Sequence, residues 1–362
     1  MSLRQPTSAS RPDLRKFAGA VLATARQLYV SQTVRRAASA ALFVWFVYQA
    51  WLTVAGVFTD WPFHFDTVGI DGRLYYRAAA TWLSGGDPWT AFTTSNTWPP
   101  SGVFVHFLFT GPPPTVLAFV PFVWIPEDAF VVGWLGLSAA AAIYTTRRLG
   151  LPMWWVLFPP LINGLAVGNP QIVCLALLLS SSTWARALAA PMKAYAVIPM
   201  VGERQWRALA VLTLGVAVSV VIFWPLWQTY AGDYSKVQDW LVGFTGGGYS
   251  ATRDPRLFAI TAAAIGVLLL IDRRAALWLA VPGLWPATQY FYATFAMPLR
   301  SPWLVFVLAA AGTPNASLVP WCIVAYAGCR MAGRLVRGLG WPLPEALEGH
   351  ATPSGAQPSA TE

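Results

Sequence analysis

Between Ser39 and Phe58 the chain runs twenty residues without a charged side chain. As a helix such a run is about 30 Å long, the thickness of a bilayer's hydrocarbon core. Further apolar runs follow, so that 56% of the 362 residues are hydrophobic and 11% charged, against about 25% charged in soluble proteins. A soluble domain is excluded, and so is intrinsic disorder of the chain as a whole. The net charge of +9 does not point to nucleic acid, because the basic residues fall in short clusters between apolar segments. That is the positive-inside pattern of a membrane protein.

The first 37 residues carry Arg4, Arg11, Arg15, Lys16, Arg26, Arg35 and Arg36 against Asp13 alone. A basic segment ahead of a long apolar run predicts an uncleaved first span with a cytoplasmic N-terminus. Most of the 20 Trp stand beside Pro or polar residues at the ends of apolar runs, where amphipathic rings settle at a membrane interface. Cys174, Cys322 and Cys329 all lie inside apolar stretches, which gives neither a disulfide framework nor a Cys-based zinc site.

After the first span comes a polar interval, residues 59–101, placed outside if the N-terminus is inside. Within it Leu74, Tyr75, Ala78, Ala79, Trp82 and Leu83 recur at helical spacing, with Arg73, Arg77, Thr81 and Ser84 on the opposite face. The spacing predicts an amphipathic helix lying on the membrane, with Asp71 where an N-cap would stand and Gly85-Gly86 where the helix stops. Downstream, apolar segments lie at about 102–125, 128–146, 152–168, 170–185, 187–200, 206–224, 256–271, 275–296, 302–313 and 316–332. Several are shorter than the roughly 20 residues of a straight span, and Pro112-Pro113-Pro114, Pro159-Pro160, Pro282, Pro286 and Pro320 break them. Broken helices at membrane depth must be buried in protein or line a cavity.

The expected architecture is all-α, a polytopic transmembrane helix bundle of about ten spans around a pocket. A basic segment (1–37) precedes the membrane domain (38–335), and a Pro-, Ser-, Ala- and Gly-rich tail (336–362) reads as disordered. Arg273-Arg274 and the trio Arg330, Arg334, Arg337 mark cytoplasmic ends, whereas Arg147-Arg148 resists a simple alternation. A second outer loop, residues 225–256, carries Asp233, Lys236, Asp239, Arg253 and Asp254 with Gly246-Gly247-Gly248 as a mobile connection. No internal repeat is visible, so the inverted-repeat signature of many transporters is absent.

The first outer interval gathers Asp60, Asp66, Asp71 and Asp87, with His64 near them. A partly desolvated carboxylate can act as a general base. As an N-cap, Asp71 would instead contribute about 1 kcal/mol of helix stability. Asp87, before Pro88, reads as turn chemistry, and His64 as a surface histidine. Asn169, Gln171 and Lys193 lie in a stretch nearly empty of charge. A lysine in hydrocarbon costs about 2.5–3.5 kcal/mol, so Lys193 either snorkels at a helix end or supplies a point charge for a phosphate. Asn169 and Gln171 either join that site or bind helices together.

The run Asp71-Gly72-Arg73-Leu74-Tyr75, continuing through Ala78-Ala79, Leu83, Gly85, Pro88 and Trp89, resembles the first outer loop of the GT-C superfamily, most closely glycosyltransferase family 87. There an Asp stands four residues before a Tyr and opens an amphipathic helix. Trp98-Pro99-Pro100 looks like that family's Tyr-Pro-Pro, Gly168-Asn169-Pro170-Gln171 like its Gly-Gln/Asn-x-Asn, and Lys193-Ala194-Tyr195 with Pro199 like its Lys-Pro-x-Pro. The match covers roughly residues 39–230. Trp89 and Ala194 depart from the family's Tyr and Pro, and the C-terminal third is short. The resemblance implies an integral-membrane glycosyltransferase of the plasma membrane. It would take a polyprenyl-phosphate sugar, mannose or arabinofuranose, to a lipid or glycan acceptor on the outer face. It implies Asp71, or second to it Asp66, as the base, Lys193 near the phosphate, and a substrate site including Asn169, Gln171 and Tyr75. Arg73 and Arg77 are headgroup contacts on this reading, or solvent-facing cations. No Asp-x-Asp pair is present, and no metal or other cofactor is expected. A transporter or lipid flippase is the alternative; it would spread intramembrane ionisable residues over several helices, whereas here the acids gather outside. A non-catalytic scaffold comes third.

Overall fold

The structure is a computed structural model that describes residues 32–58, 68–89, 91–93, 106–243, 254–286, 289–301 and 318–338. Asp60, His64, Asp66, Trp98-Pro99-Pro100, Gly246-Gly247-Gly248, the apolar segment at 302–313, and nearly all of the basic N-terminal segment and the tail lie outside these residues. The described chain is helical apart from an antiparallel ribbon, β1 (Ala91–Thr93) and β2 (His106–Leu108), in which Phe92 faces Phe107.

Among the described residues, two helices are long and apolar enough to cross a membrane: residues Arg36–Ala55 within α1 (Gln32–Phe58), and α4 (Glu127–Arg148). A third span arises if α9 (Trp206–Ile222) and α10 (Trp224–Gly243), which meet at a bend of 98°, are one broken span. The remaining helices are shorter. They are α2 (Ile70–Leu83), α3 (Pro113–Phe119), α5 (Pro159–Ala166), α6 (Gln171–Leu179), α7 (Thr183–Met192), α8 (Val197–Gly202), α11 (Pro255–Ile271) and α12 (Arg273–Leu284), with the longer α13 (Leu318–Gly338) last.

Prolines set several of these breaks, because a proline removes a donor and tolerates only the first turn of a helix. Pro113 opens α3, Pro159 opens α5 and Pro255 opens α11. The apolar segment drawn at 102–125, where it is described, is β2, an irregular stretch ending at Pro112, the seven residues of α3 and a 3-10 turn, Val120–Phe122. The stretch 275–296 likewise divides into α12 and a 3-10 run, Tyr290–Leu299. The outer loop expected at 225–256 is helical through Gly243; its face bearing Leu226, Tyr230 and Val237 repeats at helical spacing and packs inward.

Polar contacts sort the helix ends into two groups. At one end Arg148 donates to the Leu179 carbonyl, Gln205 to Leu178, Arg274 to Glu203, Arg330 to Asp272 and Arg334 to the Leu270 carbonyl. Arg274 and Arg330 pair there with the acids Glu203 and Asp272, Arg186 donates to the Ser180 carbonyl, and Arg147, Arg204, Arg207 and Arg273 adjoin these residues in sequence. Arg147-Arg148 thus belongs with the other basic clusters: the broken segments from Met153 to Ala166 carry the chain back, which a count of full-length spans does not register. At the other end, Asp71 N–H donates to the Val167 carbonyl and Arg73 pairs with Glu127. Aromatic packing fills the core between the ends, with Phe46 against Trp154, Trp155 and Phe158, and Phe119 against Tyr75, Phe130 and Trp134.

Candidate functional site

At the end opposite the basic cluster, two backbone loops meet and fix the start of α2. Gly69 (φ 68°) and Gly168 (φ 65°) both take the left-handed conformation that favours glycine. A Cβ on Gly168 would stand 2.9 Å from the Gly69 Cα, so the loops approach as closely as they do because Gly168 has none; a Cβ on Gly69 would instead meet Val131 at 2.8 Å. Gly69 and Asp71 donate their N–H groups to the carbonyls of Ala166 and Val167, at 3.1 and 2.9 Å. Trp134 Nε1 closes the seat by donating to the Gly168 carbonyl at 2.8 Å.

This seat corrects the reading of Asp71 as an N-cap. The cap position is Gly69, with no side-chain cap bond, and Asp71 lies in the first turn. Carbonyls of a neighbouring loop satisfy the helix N–H groups that a cap would otherwise serve, so the carboxylate is released to another task. Asn169 Nδ2 donates to Asp71 Oδ2 at 2.5 Å. Asn169 is itself held, since its Oδ1 accepts from the Gln171 N–H at 3.0 Å as α6 begins.

Lys193 stands between α7 and α8, where the backbone turns extended. Its ammonium does not snorkel out along a helix end. It lies 5.1 Å from the centroid of the Tyr75 ring and 5.8 Å from that of Tyr292, and donates to Tyr292 Oη at 3.3 Å. Such placements over ring faces are favourable for a cation. Asp71, Tyr75, Asn169 and Lys193 all line one pocket of about 120 Å³. Burial raises the Asp71 carboxyl above its ordinary 3.8, with the Lys193 charge and the Asn169 bond opposing the rise. Burial also pushes the Tyr75 phenol up to about 12, again against Lys193, so Tyr75 stays a neutral hydroxyl at physiological pH.

Three of the expected site residues lie elsewhere. Arg73 is buried, not solvent-facing, and its guanidinium pairs with Glu127 at 2.9 Å and Asp128 at 2.8 Å. Arg77 joins Glu127 at 2.8 Å. Both arginines spend their charge on the start of α4, away from the pocket. Gln171 is buried outside the pocket lining with its amide against Gly164, whose missing Cβ makes the room, and among the described residues the amide atoms have no hydrogen-bond partner. Nor is α2 a helix laid on a surface: Tyr75, Ala78 and Ala79 are buried among protein neighbours, including α3 and α4.

Asp87 is turn chemistry, its Oδ1 accepting from the Trp89 N–H at 2.8 Å, and buried Trp89 donates Nε1 to the Gly111 carbonyl at 2.9 Å. Among the described residues no three His, Cys, Asp or Glu side chains converge as metal ligands would. The sequence did not single out Tyr292, Thr115, Trp240 and Trp285, which also line the pocket. A tyrosine in the run Tyr290-Phe291-Tyr292 reads as core, and no local pattern reveals that it faces a lysine 99 positions away.

No family model matches the chain, and no curated protein or solved structure is significantly similar to it.

Proposed function

We propose that the chain is an integral-membrane glycosyltransferase of GT-C type. It moves a sugar from a polyprenyl-phosphate donor to a lipid or glycan hydroxyl on the outer face of the plasma membrane. One observation carries the reading: a half-buried carboxylate, Asp71, and an ammonium, Lys193, share one pocket at the end opposite the arginines. Glycosyl transfer from a lipid phosphate needs these two groups. The acceptor oxygen attacks the sugar's C1 and its proton passes to the Asp71 carboxylate. The C1–O bond to the phosphate breaks, and its electron pair leaves with the polyprenyl phosphate beside Lys193. Attack opposite the leaving group inverts C1.

Each residue has a task in this chemistry. A carboxylate whose affinity for protons is raised is a stronger base, and positioned general bases contribute about a hundredfold or more. Asn169 orients Asp71, while Lys193 offsets the charge that develops on the phosphate. The reading calls on no metal and no organic cofactor.

The membrane arrangement belongs to the same proposal. The basic end lies in the cytoplasm by the positive-inside rule, which puts the pocket outside. The chain crosses about ten times in this arrangement, and a half-length crossing such as α6 is shielded by protein, as the bilayer requires of short or broken helices.

The test uses purified protein in proteoliposomes with a panel of radiolabelled polyprenyl-phosphate sugars and candidate acceptors. Label recovered on an acceptor is the expected result. Label carried across the bilayer with no new product would replace the reading with a transporter.

A further inference from the structure

Behind the pocket wall, one indole touches the sequence neighbours of both Asp71 and Asn169. Trp134, on α4, is 3% exposed and lies outside the pocket lining. Its Nε1–H donates at 2.8 Å to the carbonyl of Gly168, the residue before Asn169. Its Cδ1 edge meets Gly72, the residue after Asp71, so closely that a Cβ there would stand 2.9 Å away. The ring is held in turn, with Phe130 stacked on it at 5.9 Å between centroids and Phe119 tilted against it at 5.1 Å.

The residue type matters at this place. Phenylalanine fills a buried aromatic site with no polar atom, whereas a buried indole N–H needs an acceptor. Three successive carbonyls of the loop ahead of α6 are taken: those of Ala166 and Val167 by the start of α2, and that of Gly168 by Trp134. The Gly168 carbonyl belongs to the peptide unit that leads into Asn169, and the N–H of the same unit donates to the Gly164 carbonyl at 3.0 Å. Because a peptide unit is planar, these two bonds pin the plane from which the Asn169 side chain reaches Asp71. Freed at its carbonyl, the plane can rotate, and a hydrogen bond weakens steeply as it loses alignment.

We infer that Trp134 is a positioning residue for the base: by pinning the Gly168–Asn169 peptide on one side and meeting Gly72 on the other, it sets the hydrogen bond from Asn169 to Asp71. The inference deepens the transfer reading and rests on it for the role of Asp71. Burial raises the Asp71 carboxyl, and the Lys193 charge and the Asn169 bond oppose the rise, so a loosened bond moves the carboxyl further up. Among the described residues, Lys193 and Tyr75 are the titratable groups that act on Asp71 or feel its charge, and a change at Trp134 removes neither. A shift in proton affinity caused from outside the pocket therefore separates positioning from packing.

The experiment compares wild type, Trp134→Phe, Asn169→Ala and the double variant in proteoliposomes, with polyprenyl-phosphate mannose or arabinofuranose and a lipid or glycan acceptor. A second replacement puts the benzothiophene analogue of tryptophan in place of Trp134; it exchanges N–H for sulfur in a ring of the same shape and serves if Trp134→Phe does not fold. The expected result is a fall in kcat/KM of about 2- to 10-fold, the effect of one neutral hydrogen bond, with the acid limb displaced to higher pH. In the Asn169→Ala background the same change lowers kcat/KM by less than about twofold, because the two residues act through one bond. A residue that only packs would lower the melting temperature, leave the limb unmoved and multiply the loss from Asn169→Ala, and that result would overturn the inference. The two readings also fail separately. The melting-temperature gap between a protein and its Asp71→Asn counterpart levels off at the pH where the carboxyl ionises in the folded state, with or without transfer. A level-off moved to higher pH by Trp134→Phe, in a protein that transfers nothing, removes the transfer reading alone. An unmoved level-off and an unmoved limb, in a protein that transfers sugar, remove the positioning role alone.

Discussion

Asn169 donates to the Asp71 carboxylate at 2.5 Å across 98 positions of sequence. The bond joins the start of α2 to the loop that opens α6, and it favours the ionised form that a base requires. Asn169→Ala removes a hydrogen bond to a charge, and transfer is expected to fall about tenfold. The same change moves the Asp71 pKa further up, because the bond had lowered it. The acid limb of kcat/KM therefore shifts to higher pH, and a pH profile of the variant checks the direction. An unshifted limb would separate Asn169 from the base.

Asp71 also makes stability depend on pH. Burial raises its pKa in the folded protein above the ordinary 3.8, so the folded state holds that proton more tightly than the unfolded state does. The stability it contributes is complete below the ordinary value and is lost as pH rises through the raised one. Asp71→Asn keeps the neutral form at every pH. Its melting temperature at pH 7 is expected to equal or exceed that of wild type, with the gap closing in acid. A clear drop at pH 7 would show that the ionised carboxylate stabilises the fold.

Lys193→Met keeps the apolar stem and removes the charge. Packing is expected to survive, while donor affinity falls by about 1.5–3 kcal/mol, the range for a hydrogen bond to a charged group. Titration with the lipid-phosphate sugar gives the number. An unchanged dissociation constant in a folded sample would take Lys193 out of the donor site.

Topology is testable from two exposed serines at opposite ends of the bundle. Ser84 follows α2, and Ser181 lies between α6 and α7 beside the arginines. In intact cells an impermeant thiol reagent is expected to label Ser84→Cys and to reach Ser181→Cys only after the membrane is opened. The reverse pattern would turn the protein over and put the pocket in the cytoplasm.

The elements legible in the sequence are those set by local spacing. The 3.6-residue repeat from Leu74 to Leu83 marked α2, and Gly85 (φ 81°) ends it as expected. The charge-free run at Ser39–Phe58 lies within α1. Partnership across the chain was not legible. Arg73 and Arg77 look like a solvated face until Glu127, 50 and more positions on, takes both. Asp71 looks like a cap until the carbonyls of Ala166 and Val167 serve the helix end in its place. The charge pattern alone did not reveal that half-length helices return the chain to the same side, which is why Arg147-Arg148 resisted a simple alternation.

The central claim is that Asp71 takes the proton of the acceptor hydroxyl. Its most direct test is the single-turnover rate of transfer from bound polyprenyl-phosphate sugar, in wild type and Asp71→Asn. The account predicts that the variant folds, binds donor with the wild-type dissociation constant, and transfers at least about a hundredfold more slowly, the scale for removing a general base. A folded Asp71→Asn protein that transfers sugar at close to the wild-type rate would contradict it.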